Sequence, residues 1–186
     1  YQSDKYFYEY APMIKKLFTP DEGIIRFLEK NSDVFSQFPE LKETSEDRCF
    51  IGVRRGDYVE RWNVHNPCGM TYFNKAMEMM NSSGGKKTYY ISSDDYTWAK
   101  KHFVGDNFKF LDIGSDVIQL YIGCLFKNYI ISNSSFHWWA SFLSIYDSVR
   151  VIAPDKWITI GPHVHTFGAN IYRDGMEIIE RPVETV

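Results

Sequence analysis

From Arg48 onward short apolar runs alternate with amphipathic segments, and this alternation restricts the possible folds more than any other feature of the chain. The runs CFIGV (49–53), TYYIS (88–92), FKFLD (108–112), NYIIS (128–132) and VRVIA (149–153) are rich in β-branched and aromatic residues and too short for helices. Between them apolar residues recur at i, i+3, i+4 and i+7. The three sets are Phe73, Ala76, Met77 and Met80; Val117, Leu120, Tyr121 and Cys124; and Phe136, Trp139, Ala140 and Leu143. Strands apolar on both faces, each followed by a helix with one buried stripe, predict an α/β fold: a Rossmann-like parallel sheet with helices on both faces. The stripes, including the Met-rich one, are read as core.

The first 47 residues have a different character. They are charged and helical, with Pro20-Asp21-Glu22 as a helix start and Ile24, Phe27 and Leu28 on one face. The expected division is a helical lead-in or connecting segment over 1–47 and a ligand-binding α/β domain over 48–186. Beyond Trp157 the periodicity fades; Gly161-Pro162-His163 marks irregular chain, and the Ile171–Ile179 stretch is too weak to assign. The chain opens on Tyr1 within what reads as an ongoing segment, so a preceding domain of a larger protein is expected as a partner.

Composition narrows the ligand. A formal net charge of −3 gives no overall pull toward nucleic acid or an anionic membrane, so an anion site must be local. No membrane span is expected, since no apolar run approaches eighteen or so residues. Cys49, Cys68 and Cys124 form no C-x-x-C pair and read as small core residues.

Ligands of open parallel sheets bind beyond the carboxyl ends of the strands, where loops and helix N-termini gather. Here polar residues follow the strands repeatedly: Arg54-Arg55-Gly56-Asp57, Ser92-Ser93-Asp94-Asp95, Asp112 with Asp116, and Ser132-Asn133-Ser134-Ser135. Guanidinium forks, hydroxyls and free backbone N–H groups at a helix start suit a phosphate or diphosphate. Each residue taken singly has a structural alternative: Arg54, Arg55 and Asp57 as a salt-bridge cluster, Asp94, Asp116, Ser134 and Ser135 as helix caps. No metal is expected, because no D-x-D occurs and His163 with His165 lacks further ligands. His65, His102 and His137 stand as isolated histidines without a role.

The segment IGVRRGDYV (51–59) resembles the H-x-R-R-x-D motif of the α-1,2-fucosyltransferase family, glycosyltransferase family 11. YYISSDDYTWAKKHF, NYIISNSSFHWWASFL and VIAPDKW resemble that family's later blocks in the same order, and YQSDKYF resembles its connecting segment. The family's early glycine-rich block has no counterpart. The resemblance implies the donor-binding half of a GT-B enzyme that moves L-fucose from GDP-fucose to a sugar hydroxyl on a glycan acceptor, inverting and metal-independent. By position, it implies Arg54 on the diphosphate and the leaving-group charge with Arg55 beside it, Asp116 on the guanine edge, and Ser134 and Ser135 on the β-phosphate. Asp94 and Asn133 join the donor-binding set from their loops. For the acceptor hydroxyl's base, Asp57 and Glu60 are near in sequence, with salt bridging as the alternative for both. One departure stands out: Gly52 replaces the motif histidine. Another nucleotide deoxysugar as donor, or a non-catalytic nucleotide-sugar or glycan-binding module, remains the alternative. Asn81 and Asn133 both satisfy the N-x-S glycosylation rule; we expect Asn133 unmodified in active protein.

Overall fold

The computed structural model describes residues 4–82, 85–159 and 171–182. Six parallel strands form one sheet: β1 (Arg48–Val53), β2 (Thr88–Ser93), β3 (Phe108–Phe110), β4 (Asn128–Ile131), β5 (Arg150–Pro154) and β6 (Glu177–Ile179), in the order β3-β2-β1-β4-β5-β6. Helices α1 (Ala11–Phe18), α2 (Glu22–Asn31) and α3 (Val34–Gln37) precede the sheet, and α4 (Gly56–Glu60), α5 (Trp62–His65), α6 (Met70–Ser82), α7 (Tyr96–His102), α8 (Asp116–Gly123) and α9 (Ser135–Phe142) lie between its strands. The Rossmann-like α/β architecture expected from the alternating runs is present, with strands close to the predicted bounds.

The pleat sends alternate residues to opposite faces, and two apolar cores result. Cys49, Ile51, Tyr89, Ile91, Ile130 and Ile152 meet Phe73, Ala76 and Met80 of α6 together with Ala99 and Phe103. Phe50, Tyr90, Tyr129, Ile131 and Val151 meet α8, α9 and the lead-in residues Leu28, Val34, Phe35 and Leu41. The three cysteines are buried free thiols. Phe50 is fully buried between Phe126 and Tyr129, and truncating such a ring costs about 3–5 kcal/mol. The Tyr72 hydroxyl donates to the Ile131 and Ile152 carbonyls at 2.7 and 3.3 Å, pinning α6 to β4 and β5 near their carboxyl ends.

Three helix faces depart from the periodic reading. In α8 the buried residues are Ile118, Ile122 and Gly123, with Val117 57% exposed. In α9 they are His137, Trp138, Ala140, Ser141 and Phe142, while Phe136 and Trp139 are half-buried. Both helices are eight residues long and apolar nearly all round, so spacing alone does not select a face. Distant neighbours do: Phe7 of the lead-in stacks on Trp139 at 5.4 Å, and the Trp138 indole N–H reaches the Ile171 carbonyl at 2.7 Å. In α2 Phe27 is 43% exposed and Leu28 carries the packing. The helix start is as read, with Asp21 Oδ1 accepting from Ile24 N–H at 2.9 Å. Strand β6 falls in the stretch the sequence left unassigned, held on β5 by the Arg150–Glu177 ion pair at 2.6 Å. Gly161, His163 and His165 lie outside the described residues.

Candidate functional site

The strand order reverses between β1 and β4: the chain runs outward to β2 and β3, then returns to the other side of β1. Such a reversal splays the loops apart and opens a crevice at the carboxyl ends. A hydrogen bond from Arg54 N–H to Ser132 Oγ at 3.0 Å spans this point. Above it lies a cleft of about 140 Å³ lined by Arg54, Ser92, Ser93, Asp94, Asp116, Gln119, Ser134, Phe136 and His137.

Arg54 and Arg55 diverge. Arg54 turns its guanidinium to the cleft, bonded to Asp94 Oδ2 at 2.8 Å and Asp57 Oδ1 at 2.5 Å, and it covers the Tyr58 ring at 4.9 Å. Two carboxylates thus aim a fork that remains about a third exposed. Arg55 turns the other way, is 9% exposed, and lays its guanidinium on Trp98 at 4.2 Å, with Asp95 Oδ2 3.6 Å from Nε. It packs the turn onto α7. Gly56 is needed here because a Cβ at that position would sit 2.4 Å from Asp94 Oδ2. Asp57 is exposed beside Arg54 and does not line the cleft.

The aspartates also divide. Asp94 is not the α7 cap; Asp95 is, accepting from Trp98 N–H at 2.9 Å. Asp94 instead accepts from Arg55 N–H at 2.8 Å while pairing with Arg54. The α8 cap is Ser115, so Asp116 stands free of capping duty, exposed in the first helical turn at the cleft edge. Behind it, Ser92 Oγ donates to Gln119 Oε1 at 2.7 Å and Gln119 Nε2 donates to the Tyr96 hydroxyl at 3.2 Å, a rigid polar floor.

After β4 the three candidates part company. Asn133 is fully buried, its amide donating to the His65 and Trp157 carbonyls at 2.8 and 3.0 Å; it faces away from the cleft. Ser134 occupies the α9 N-cap without making a side-chain capping bond and lines the cleft. Ser135 is exposed at the first turn of α9, outside the lining.

The residue that sequence reasoning passed over is His137. Its ring is buried against Phe50 with Nδ1 3.4 Å from Ser132 Oγ, and it forms part of the cleft wall. Burial, reinforced by the nearby Arg54 charge, lowers its pKa to about 3, so the imidazole is neutral at physiological pH. The available signal was indirect: a histidine missing at Gly52 and another beyond the end of the adjacent strand. Among the described residues no three His, Cys, Asp or Glu side chains converge as metal ligands, and no helix is long and apolar enough to cross a membrane.

A six-stranded parallel sheet in this order, with a polar cleft at its reversal point, defines a Rossmann-like α/β protein. The chain belongs to glycosyl transferase family 11, whose family model matches residues 2–159. It is 27% identical over 165 residues to an α-1,2-colitosyltransferase of Escherichia coli, covering 84% of this chain and 54% of that protein. It is 29% identical over 114 residues to the O-antigen biosynthesis glycosyltransferase WbnK of Escherichia coli, covering 58% of this chain and 38% of that protein. The chain therefore spans about half the length, or less, of these curated relatives. No solved structure matches it.

Proposed function

We propose that this chain forms the donor-binding part of a glycosyltransferase that moves a deoxyhexosyl group, fucosyl or the related colitosyl, from a guanosine diphosphate sugar to a sugar hydroxyl. The observation that carries the reading is the meeting of Arg54 and the α9 N-terminus across the β1/β4 crevice, joined through Ser132. In an inverting transfer the acceptor hydroxyl gives its proton to a base while its oxygen attacks the anomeric carbon from the face opposite the nucleotide. The bond from that carbon to the β-phosphate oxygen breaks, and its electron pair leaves with the nucleoside diphosphate. The charge growing on the leaving group needs fixed donors, and such groups typically contribute about 10²–10³ in rate each. Arg54, the Ser134 hydroxyl and the first N–H groups of α9 supply them in this reading, without a metal. Asp116 at the cleft edge accepts from the guanine N1 and N2 donors. The name of the colitosyltransferase relative supports a deoxysugar as the transferred group.

Calorimetry with GDP, UDP and dTDP tests this. GDP should bind most tightly and Asp116→Ala should erase the preference, by about 1.5–3 kcal/mol for hydrogen bonds to a charged group, while melting is unchanged. Equal affinities for GDP and UDP in the parent protein would remove the guanine assignment.

A further inference from the structure

Gly52 lies in β1 in register with Ile131 of β4, one strand position from the loop that carries Arg54. A Cβ built on Gly52 would fall 2.2 Å from His137 Cγ, 2.5 Å from Nδ1 and 2.7 Å from Cδ2. These distances are inside any real contact, so the imidazole fills the volume a side chain at position 52 would claim. The two positions are thus mutually exclusive: a ring from α9 is admitted only because β1 has none to offer. The ring is also oriented. Ser132 Oγ accepts the Arg54 N–H at 3.0 Å, which leaves the serine proton for His137 Nδ1 at 3.4 Å. A serine proton given to Nδ1 leaves the ring proton on Nε2, free to donate.

We infer that His137 is a diphosphate-binding residue, an imidazole donor set beside Arg54 by Ser132 and by the absence of a side chain at Gly52. It takes over from α9 the space of the motif histidine that this chain lacks. The inference rests on the donor-site reading given above. A neutral donor suits the position: it can donate to a phosphate oxygen without burying a cation beside the partly exposed Arg54. The sequence exchange is coherent for the same reason, since a histidine restored at position 52 would collide with the present ring.

The test is calorimetry of GDP, with guanosine as control, on the parent protein, His137→Phe, and the transposed pair Gly52→His with His137→Ser. His137→Phe keeps a ring against Phe50 and removes the N–H. It should weaken GDP about 10- to 100-fold, the fold-change for losing a hydrogen bond to a charged group, and leave guanosine binding unaltered. The transposed pair should regain most of that loss. In the parent, the ¹⁵N resonance of His137 Nε2 should move on GDP addition, which a packing role would not produce and which does not depend on any variant folding. GDP binding by His137→Phe equal to the parent's, a parallel loss of GDP and guanosine, or an unmoved Nε2 resonance would overturn the inference alone. A parent that binds none of GDP, UDP and dTDP would overturn the donor-site reading, and this inference with it.

Discussion

The loops leaving β1 and β4 each carry adjacent polar residues with opposite fates. Arg54 and Ser134 face the cleft; their neighbours Arg55 and Asn133 are locked into the fold, one against Trp98 and Asp95, the other under the carbonyls of His65 and Trp157. Residue type does not separate them, since both arginines can grip phosphate and both loop residues can donate or accept. What separates the arginines is burial, Arg55 being packed on Trp98, and what separates Asn133 from Ser134 is whether the protein already satisfies the side chain's bonds. Both Asn133 amide protons are spent on backbone carbonyls, whereas Ser134 makes no side-chain capping bond and Arg54 stays partly exposed between two carboxylates that hold its aim. The locked side extends further: the fully buried Arg181 donates to the carbonyls of Asn66 and Lys156 and closes the same α5 corner that Asn133 holds. A rigid side of the crevice thus braces an open one.

The sharpest way to break this division is Asn133→Ala. The buried Trp157 carbonyl would lose its side-chain donor, at about 1–3 kcal/mol, and the His65 carbonyl would keep only Arg181, so urea denaturation should show a clear destabilisation, with GDP affinity of the folded fraction preserved. A stable variant that lost GDP would move Asn133 to the open side. The same double bonding uses both Nδ2 protons in the folded protein, and intact-mass analysis of active protein checks whether Asn133 is unmodified.

Next come the arginines, where the expected effects cross. Arg54→Ala should weaken GDP by about 1.5–3 kcal/mol and alter stability by no more than about 1 kcal/mol, as for other exposed pairs. Arg55→Ala should reverse the pattern: a lower denaturation midpoint from the lost stacking on Trp98, worth up to about 2 kcal/mol when desolvated, and unchanged GDP affinity. Variants that behaved alike in both measurements would erase the distinction between the two side chains.

The last expected effect is a pH slope, small at any one step and spread over several pH units. His137 faces Arg54, Ser132 and Phe50, and its folded pKa of about 3 lies below the ordinary 6.5. The unfolded chain therefore takes up a proton on this residue that the folded one refuses. Its contribution to stability is complete above pH 6.5 and is lost as pH falls toward 3, by at most about 1.4 kcal/mol per pH unit. Denaturation midpoints of the parent should fall more steeply over this window than those of His137→Phe; parallel slopes would mean the ring is protonated in the fold.

Much of the sheet was legible because strands buried on both faces must be continuously apolar, which is why β1, β2, β4 and β5 are found within a residue or two of their expected bounds. Strand β6 escaped because its three residues are specified by pairing with β5 and by Arg150, not by a pattern of their own. The faces of α8 and α9 escaped because helices apolar all round leave the choice to distant neighbours such as Phe7 and Ile171. At the site, the clustering of polar residues after the strands was readable, yet the choice between Arg54 and Arg55, or Asn133 and Ser134, is made by partners tens of residues away. Ser132 is 78 residues from Arg54 and His65 is 68 from Asn133. His137 was invisible for a similar reason: its place depends on an empty volume at Gly52.

The measurement that most directly tests the donor site at the strand-order reversal is a GDP titration followed by backbone amide resonances. The expected result is that the largest, saturable shifts fall on Arg54, Ser134, His137 and Asp116, with Arg55 and Asn133 responding less. A larger groove of about 430 Å³ lies elsewhere, between Pro20, Phe35, Leu41, Leu125 and Ile145. Shifts concentrated there, with the β1 and β4 loops unmoved, would contradict the assignment of nucleotide binding to the crevice.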